Sequence, residues 1–304
     1  MATRAALLEA VVSVRRPDFG YQREGTVVRT QPPAYNWEMG SATFIREFID
    51  RRRDWQPRGL AIFRGQANRE WKILPQIARE PSDAEAIHES TSSRLDIERD
   101  LLLHFRDRCG PFMPEWIWAA SDREQSWRVL LVAQHHGLPT RLVDWSRNPL
   151  VALYFAVENF SRCKNGCEVC SAASGHDSLV AGVSGSGFTV AGLASDPANG
   201  DAPLYGYENG SDYGILLPPN VSPRIVAQSS VFTIGRRPRK AIPPELEIVI
   251  PAAQRTEILR DLNSLGVNRA TLFPDLDGHA RHFAWLCQSG EWRSMFDRNV
   301  LGIP

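Results

Sequence analysis

The densest run of reactive side chains is Gln134-His135-His136-Gly137-Leu138-Pro139-Thr140-Arg141-Leu142-Val143-Asp144-Trp145-Ser146. Its two imidazoles suit acid–base work near neutral pH, and its arginine presents a planar fork that matches phosphate or carboxylate. A second polar knot, Phe63-Arg64-Gly65-Gln66, lies upstream, and the two are expected to meet and line one cleft. Arg64 directly follows an apolar stretch, where a guanidinium can clamp an anion bidentately; a structural pair with Asp144 would use the same side chain. Gly65 is read as the residue that lets the strand exit sharply and a ligand come close. Arg141 and Asp144, placed in one strand, should point to opposite faces, and whichever is buried needs a partner. An Arg141–carboxylate pair is therefore the alternative to a binding role. His135 and His136 end a helix, where positive charge suits the dipole, so capping competes with catalysis. No Ser or Cys sits in a nucleophile-elbow pattern, so a hydrolase triad is not expected.

Other clusters are weaker. Cys163, Cys167, Cys170 and His176 have the ligand types of a zinc site, but one short loop would have to wrap the metal and no second knuckle pairs with it. Reduced thiols in a surface insertion are the expectation. The Gly-Val-Ser-Gly-Ser-Gly run at 182–187 lacks the Lys-Ser/Thr ending of a phosphate loop and reads as a flexible loop. Asp275, Asp277 and His279 have metal-ligand chemistry, yet a helix cap explains the aspartates equally well. Arg236-Arg237-Pro238-Arg239-Lys240 is a dense basic run, a solvated loop or a contact for phosphate or nucleic acid.

The elements that must position these groups follow from periodicity. A helix is predicted from 41 to about 55, with Phe44, Ile45, Phe48 and Ile49 on one face. A buried strand covers 60–63. A charged helix spans 83–108 with Leu95, Leu101, Leu102 and Phe105 inward. Ser121 and Glu124 form a capping-box pattern opening a helix that ends at His135 or His136, with Gly137 as its C-terminal cap. A short strand over 140–143 leads to a helix over 150–157 that is apolar nearly all round, hence central. The Ser/Gly/Asn-rich stretch 161–212 reads as an irregular insertion carrying a strand piece at 179–183. Strands are predicted at 213–217, 224–227, 231–234 and 246–250, then helices over 252–265 and from His279 onward. Helices early and short strands late give an α+β class, a mixed or antiparallel sheet packed by helices in one main domain.

Bulk properties set bounds. The chain has 304 residues, with 35 Lys+Arg against 35 Asp+Glu, so no overall basic field draws it to nucleic acid. No apolar run is long enough to cross a membrane, and no membrane partner is expected. The N-terminal run 5–14 lacks the features of a secretion signal. With five cysteines, an odd count, reduced thiols and a cytoplasmic location are expected.

The landmarks together resemble the FRG domain of bacteria and phages, named after its Phe-Arg-Gly triplet. They are Phe63-Arg64-Gly65-Gln66 with Trp71, Leu74-Pro75 and Arg79; His135 to Ser146 continued through Asn148-Pro149-Leu150 and Ala152-Leu153-Tyr154-Phe155-Ala156; and 224–232 with 272–278. The resemblance covers about 36–288, with a lead-in at 1–35, a tail at 289–304 and the insertion at 161–212. It implies an intracellular bacterial effector in a mobile, stress-response or phage-defence setting. A looser similarity, to ADP-ribosyltransferases, implies a transferase cleft for NAD or a related nucleotide. In that likeness Arg64, Thr140, Gln228 and His136 carry catalysis, Gln228 standing where those enzymes have a late Glu. Arg64, Gln66, His135, Arg141, Asp144, Ser230 and Phe232 contact the cofactor. No metal is implied. The competing reading is a non-catalytic module for a ligand or nucleic acid, motivated by Gln228 in place of Glu and by the run at 236–240. No protein partner is implied.

Overall fold

The computed structural model describes residues 41–79, 91–158, 175–190, 193, 196–197, 213–219, 222–235 and 237–291. All fall in one compact unit, Gln31–Pro304; the other unit, Met1–Thr30, lies outside the described residues. The helices are α1 (Ser41–Asp54), α2 (Thr91–Cys109), α3 (Asp122–His135), α4 (Pro149–Glu158), α5 (Pro223–Ala227), α6 (Arg255–Ser264), α7 (Arg269–Leu272) and α8 (Leu276–Ser289). The strands are β1 (Leu60–Gln66), β2 (Leu142–Ser146), β3 (Ser178–Gly185), β4 (Gly187–Thr189), β5 (Tyr213–Leu217), β6 (Ser230–Gly235) and β7 (Leu246–Ile250). They form one seven-stranded sheet in the order β4-β5-β6-β2-β1-β3-β7. Every pairing is antiparallel except β4 with β5. The class is α+β, as expected.

Side-chain alternation along the strands decides where each layer sits. Phe63 and Gly65 of β1 share a face with Ser146 of β2, because Phe63 is paired with Ser146. That face carries α1, α4 and α6, whose Phe48, Val151, Leu153, Ile258 and Leu262 pack with Phe63, Val180, Ile248 and Ile250. The same face, farther along the sheet, carries α2 and α3: Leu102, Trp127, Leu130 and Leu131 pack with Leu142, Leu216, Phe232 and Ile234. The opposite face is closed by Ile62, Ile73, Val143, Trp145, Ala181, Ile215 and Val231. Each such aliphatic side chain, fully buried, stabilises the fold by about 1.5–3 kcal/mol. α4 is buried on nearly every side, as its all-round apolar sequence requires.

Gly65 has a different task from the one its position suggests. β1 continues through Arg64, Gly65 and Gln66, so the chain makes no sharp exit there. A Cβ on Gly65 would lie 2.0 Å from the Ala152 carbonyl oxygen and 2.4 Å from the Ala156 nitrogen. The glycine lets the backbone of α4 rest directly on the backbone of β1.

Several other boundaries move. The strand expected at 140–143 begins at Leu142, after Thr140 and Arg141. Residues 224–227 form α5 rather than a strand: Ser222 accepts a hydrogen bond from the Ile225 N–H and Pro223 occupies the first turn. Part of the stretch read as an irregular insertion supplies β3, which pairs with β1 over Leu60–Gln66 and with β7 on its other side. The glycines at 182 and 185 therefore sit in a central strand, and the loop expected at 182–187 is a β3–β4 corner. Gly182 is needed because Leu246 and Trp55 press on it, 3.1 Å from where a Cβ would be. Ser121 takes the N-cap position of α3, but its hydroxyl makes no cap bond. Gly137 ends α3 at φ 89°, as its C-cap role demands.

Candidate functional site

The polar residues gather where β2 crosses the middle of the sheet. Of its five residues Asp144 alone is exposed; Leu142, Val143, Trp145 and Ser146 are buried. Its side chain lies on the helix-covered face, between the apolar cluster under α2 and α3 and the one under α4. There it reaches solvent beside Gln134 of α3, and this exposed point is the notch over β2. Gln134, in the last turn of α3, donates from its amide to Asp144 Oδ2 at 3.1 Å. The Gln134 carbonyl oxygen in turn accepts from the Thr140 hydroxyl at 2.5 Å, and Thr140 Oγ1 accepts from the Leu142 N–H at 3.1 Å. The carboxylate is thus held in one orientation by a chain anchored in buried backbone.

His135 follows Gln134 in the last turn of α3. Burial pushes its imidazole below the ordinary value, and the charges of Arg224 and His136 push it further. Asp144 and Asp275 oppose this. The two histidine rings meet edge to face at 5.2 Å. Arg224, on α5, lies 4.3 Å from the centre of the Phe273 ring, and Arg269 lies 4.2 Å from the same ring; such stacking holds a guanidinium plane in place. Asp275 caps α8, accepting from the Gly278 N–H at 2.6 Å. Its backbone oxygen lies 3.0 Å from His279 Nδ1, and Asp277 pairs with Arg281. These three residues are thus engaged in helix capping and surface pairing.

Arg64 approaches from the other side of the seam between β1 and β2. The two strands share one register pair, Phe63 with Ser146, whereas β1 pairs with β3 at seven positions. Where they part, Arg64 donates to the Asp144 backbone oxygen at 2.6 Å. The expected Arg64–Asp144 contact therefore exists, but to the carbonyl and not the carboxylate. Burial lowers the Arg64 pKa, the Asp144 charge opposes this and the Arg79 charge adds to it. Arg64 Nε and Gln66 Oε1, on the same side of β1, are buried without a hydrogen-bond partner. The Gln66 amide donates to the Trp71 oxygen at 3.2 Å.

Other expected site residues are placed in structural roles. Arg141 is 1% exposed and is paired with Glu98 of α2, which also accepts from the Arg141 backbone N–H at 2.6 Å. Its guanidinium further donates to the Pro197 oxygen at 3.2 Å. It is a staple between α2 and the entry to β2, with no exposed surface for a ligand. Thr140 is 0% exposed, so it acts on the notch only through Gln134. Gln228 donates from its side-chain amide to the Leu272 backbone oxygen at 3.0 Å, and its backbone oxygen accepts from the Ser146 hydroxyl at 2.7 Å. These bonds tie α5 to α7 and to β2, next to Ser229, whose φ of 48° marks a tight corner. Phe232 is core and Ser230 is a half-buried ladder residue opposite Ser146. His136 is exposed beyond the end of α3. Arg237, Arg239 and Lys240 are exposed in the turn after β6; Arg236 lies outside the described residues. So do Cys163, Cys167 and Cys170, while the backbone oxygen of His176 accepts from Arg255.

Sequence reasoning passed over Glu98, Gln134, Arg224 and Phe273 as site or support residues. Glu98 left a signal: with Leu95, Leu102 and Phe105 it falls on the inner stripe of α2, where a carboxylate must find a cation. Arg224 and Phe273 sit on separate elements, and no local period connects them.

The sheet order and this notch define an α+β domain whose polar residues converge on one central strand. Residues 60–165 match the family model of the FRG domain. The match includes both polar knots and α4, and stops short of Arg224 and Phe273. No curated protein and no solved structure matches the chain. No helix among the described residues is long and apolar enough to cross a membrane.

Proposed function

We propose that the notch over β2 binds a nucleotide of the NAD type and that Asp144 is its central contact. The observation that carries this is the single exposed carboxylate in a buried strand, fixed by Gln134, beside a histidine, His135, that feels the charges of both Asp144 and Arg224. A carboxylate with one oxygen held accepts hydrogen bonds from the vicinal hydroxyls of a ribose with the other. Arg224, braced on Phe273, matches a phosphate. Arg64 and Gln66 alternate to the opposite face of β1 with Ile62, so Arg64 serves the notch only by holding the Asp144 backbone oxygen.

With NAD as substrate, the reaction class is cleavage of the bond between nicotinamide and ribose. Asp144 stabilises the positive charge that develops on the ribose as nicotinamide leaves with the bonding electrons. Neutral His135 accepts the proton released when water, or a hydroxyl of an acceptor, adds to the ribose carbon. In this reading Asp144 takes the part of the late acid that Gln228 cannot supply. Arg64, Gln134 and Thr140 are positioning residues. The cellular setting, a defence or stress-response effector, belongs to the same proposal and rests on the family resemblance.

The test is calorimetry with NAD and ADP-ribose, together with chromatographic detection of free nicotinamide. Binding that Asp144→Asn weakens by tenfold or more (about 1.4 kcal/mol) supports the reading. No heat with either ligand at millimolar concentration, and no nicotinamide, sinks it. The competing module for nucleic acid rests on the exposed turn with Arg239 and Lys240. Its signature is RNA or DNA binding that weakens steeply with salt and with replacement of those two residues.

A further inference from the structure

Across Phe273 from the notch, α4, α6, α7 and α8 frame a cavity of about 270 Å³. One wall is aromatic: the His282 and Trp285 rings lie within 17° of parallel with centroids 6.0 Å apart. Nearly parallel plates of this kind suit a flat ring that extends the stack. The cavity also meets an ion pair, Arg269 with Glu158, whose side chains are only 12% and 9% exposed. The two charges cancel there, and the remaining cation of the lining, Arg281, is exposed and paired with Asp277. Burial and the charge of His279 hold the His282 imidazole below its ordinary pKa, which keeps that plate uncharged at neutral pH.

Two amides complete the lining. Asn263 of α6 and Gln288 of α8 face the cavity, and no side-chain hydrogen bond engages either amide among the described residues. Each offers a donor and an acceptor in one plane. The volume lies just under the lower end of the usual range for small-molecule pockets, about 300 Å³. That excludes a whole dinucleotide and fits a single ring system.

We infer that this cavity is a second binding site, for an uncharged planar heteroaromatic ring with a donor–acceptor edge, the chemistry of a nucleobase or its nucleoside. The ring stacks against Trp285, and Asn263 and Gln288 read its edge. The inference is independent of what binds at Asp144: different helices supply the groups, and a different charge balance selects the ligand.

The experiment is calorimetry and saturation-transfer NMR on the full chain with adenosine, guanosine, cytidine, uridine and free adenine. At least one nucleoside is expected to bind with submillimolar affinity, and adenine separates recognition of the base from recognition of the sugar. A double change, Asn263→Ala with Gln288→Ala, should weaken that binding about tenfold with an unaltered melting temperature. Trp285→Phe, which keeps a ring in the wall, should retain it, while Trp285→Ala should remove it. Asp144→Asn should leave the binding of free adenine, which has no ribose for that carboxylate, unchanged. No binding of any probe at millimolar concentration overturns the inference. So does binding that survives the double change, or adenine binding abolished by Asp144→Asn, which would place the ligand in the notch.

Discussion

Two arginines, one buried and one half-buried, flank the start and the seam of β2, and they are solved in opposite ways. Arg141 has a carboxylate: Glu98 meets both its guanidinium and its backbone N–H, and the pair has no exposed side-chain surface. Arg64 has only the Asp144 carbonyl, a nearby like charge on Arg79 and one nitrogen without a partner. The first arrangement is complete and has nothing left to offer a ligand. The second is incomplete, and it touches the one residue of β2 that faces out. A motif arginine is thus not a functional arginine by virtue of being in a motif; what decides is whether the fold has already used its charge.

The largest effect should come from breaking the complete pair. Glu98→Ala leaves the Arg141 charge buried without compensation and should lower unfolding free energy by about 3–5 kcal/mol in a denaturant titration. A loss below about 1 kcal/mol would mean that Arg141 finds another partner. Next is the backbone contact beside Arg64. Gly65→Ala forces β1 and α4 apart and should cost about 1–3 kcal/mol or more, read as a lower melting temperature. An unchanged melting temperature would show that the helix slides freely over the strand. Arg64→Met should cost less, about 1–2 kcal/mol, because it removes one charged hydrogen bond together with an unsatisfied atom. Its effect on NAD binding should nevertheless exceed that of Arg141→Met measured at matched stability. The reverse order would erase the contrast between the two arginines.

Asp144→Asn should change stability by less than about 0.5 kcal/mol, its consequence being confined to the ligand. The smallest effect is a titration. The His135 pKa is depressed, so the unfolded chain takes up its proton first as pH falls from neutral. This contribution to stability is present above the ordinary imidazole range and is lost as pH falls through it into the depressed folded value. In NMR titration, Arg224→Ala should raise the His135 pKa and Asp144→Asn should lower it. Shifts of the opposite sign would show that the ring does not face those groups.

Much of this was legible in the chain. α4 announced itself by being apolar all round, α3 by Gly137, and α6 by Ile258, Leu259 and Leu262 on one stripe. The meeting of Arg64 with Asp144 was also legible, because two polar residues in apolar surroundings must satisfy each other. What the Arg64 fork grips was not: carbonyl and carboxylate belong to the same residue, and only the parting of the strands selects one. The role of Gly65 was hidden for a related reason. A glycine at a strand end and a glycine under a helix read alike until the helix is placed. Residues 224–227 carry strand-forming Ile and Val, yet Ser222 and Pro223 outvoted them through the cap. Glycines at 182, 185 and 187 suggested a loop, yet all three lie in strands, with Trp55 and Leu246 close against Gly182 and Leu217 and Leu60 close against Gly187.

The single rung between β1 and β2 has a mechanical meaning. A sheet with full ladders bends as one plate, but this one is scored along a line, with β4, β5, β6 and β2 on one side and β1, β3 and β7 on the other. The softest deformation of the plate is a change of angle along that score, since it breaks the fewest backbone bonds. Arg64 bridges the score like a rivet, and Asp144 is the point at which the rivet is fastened. Under the proposed function a ligand held by Asp144 presses on the fastening itself, and amide exchange along β2 should slow when it binds.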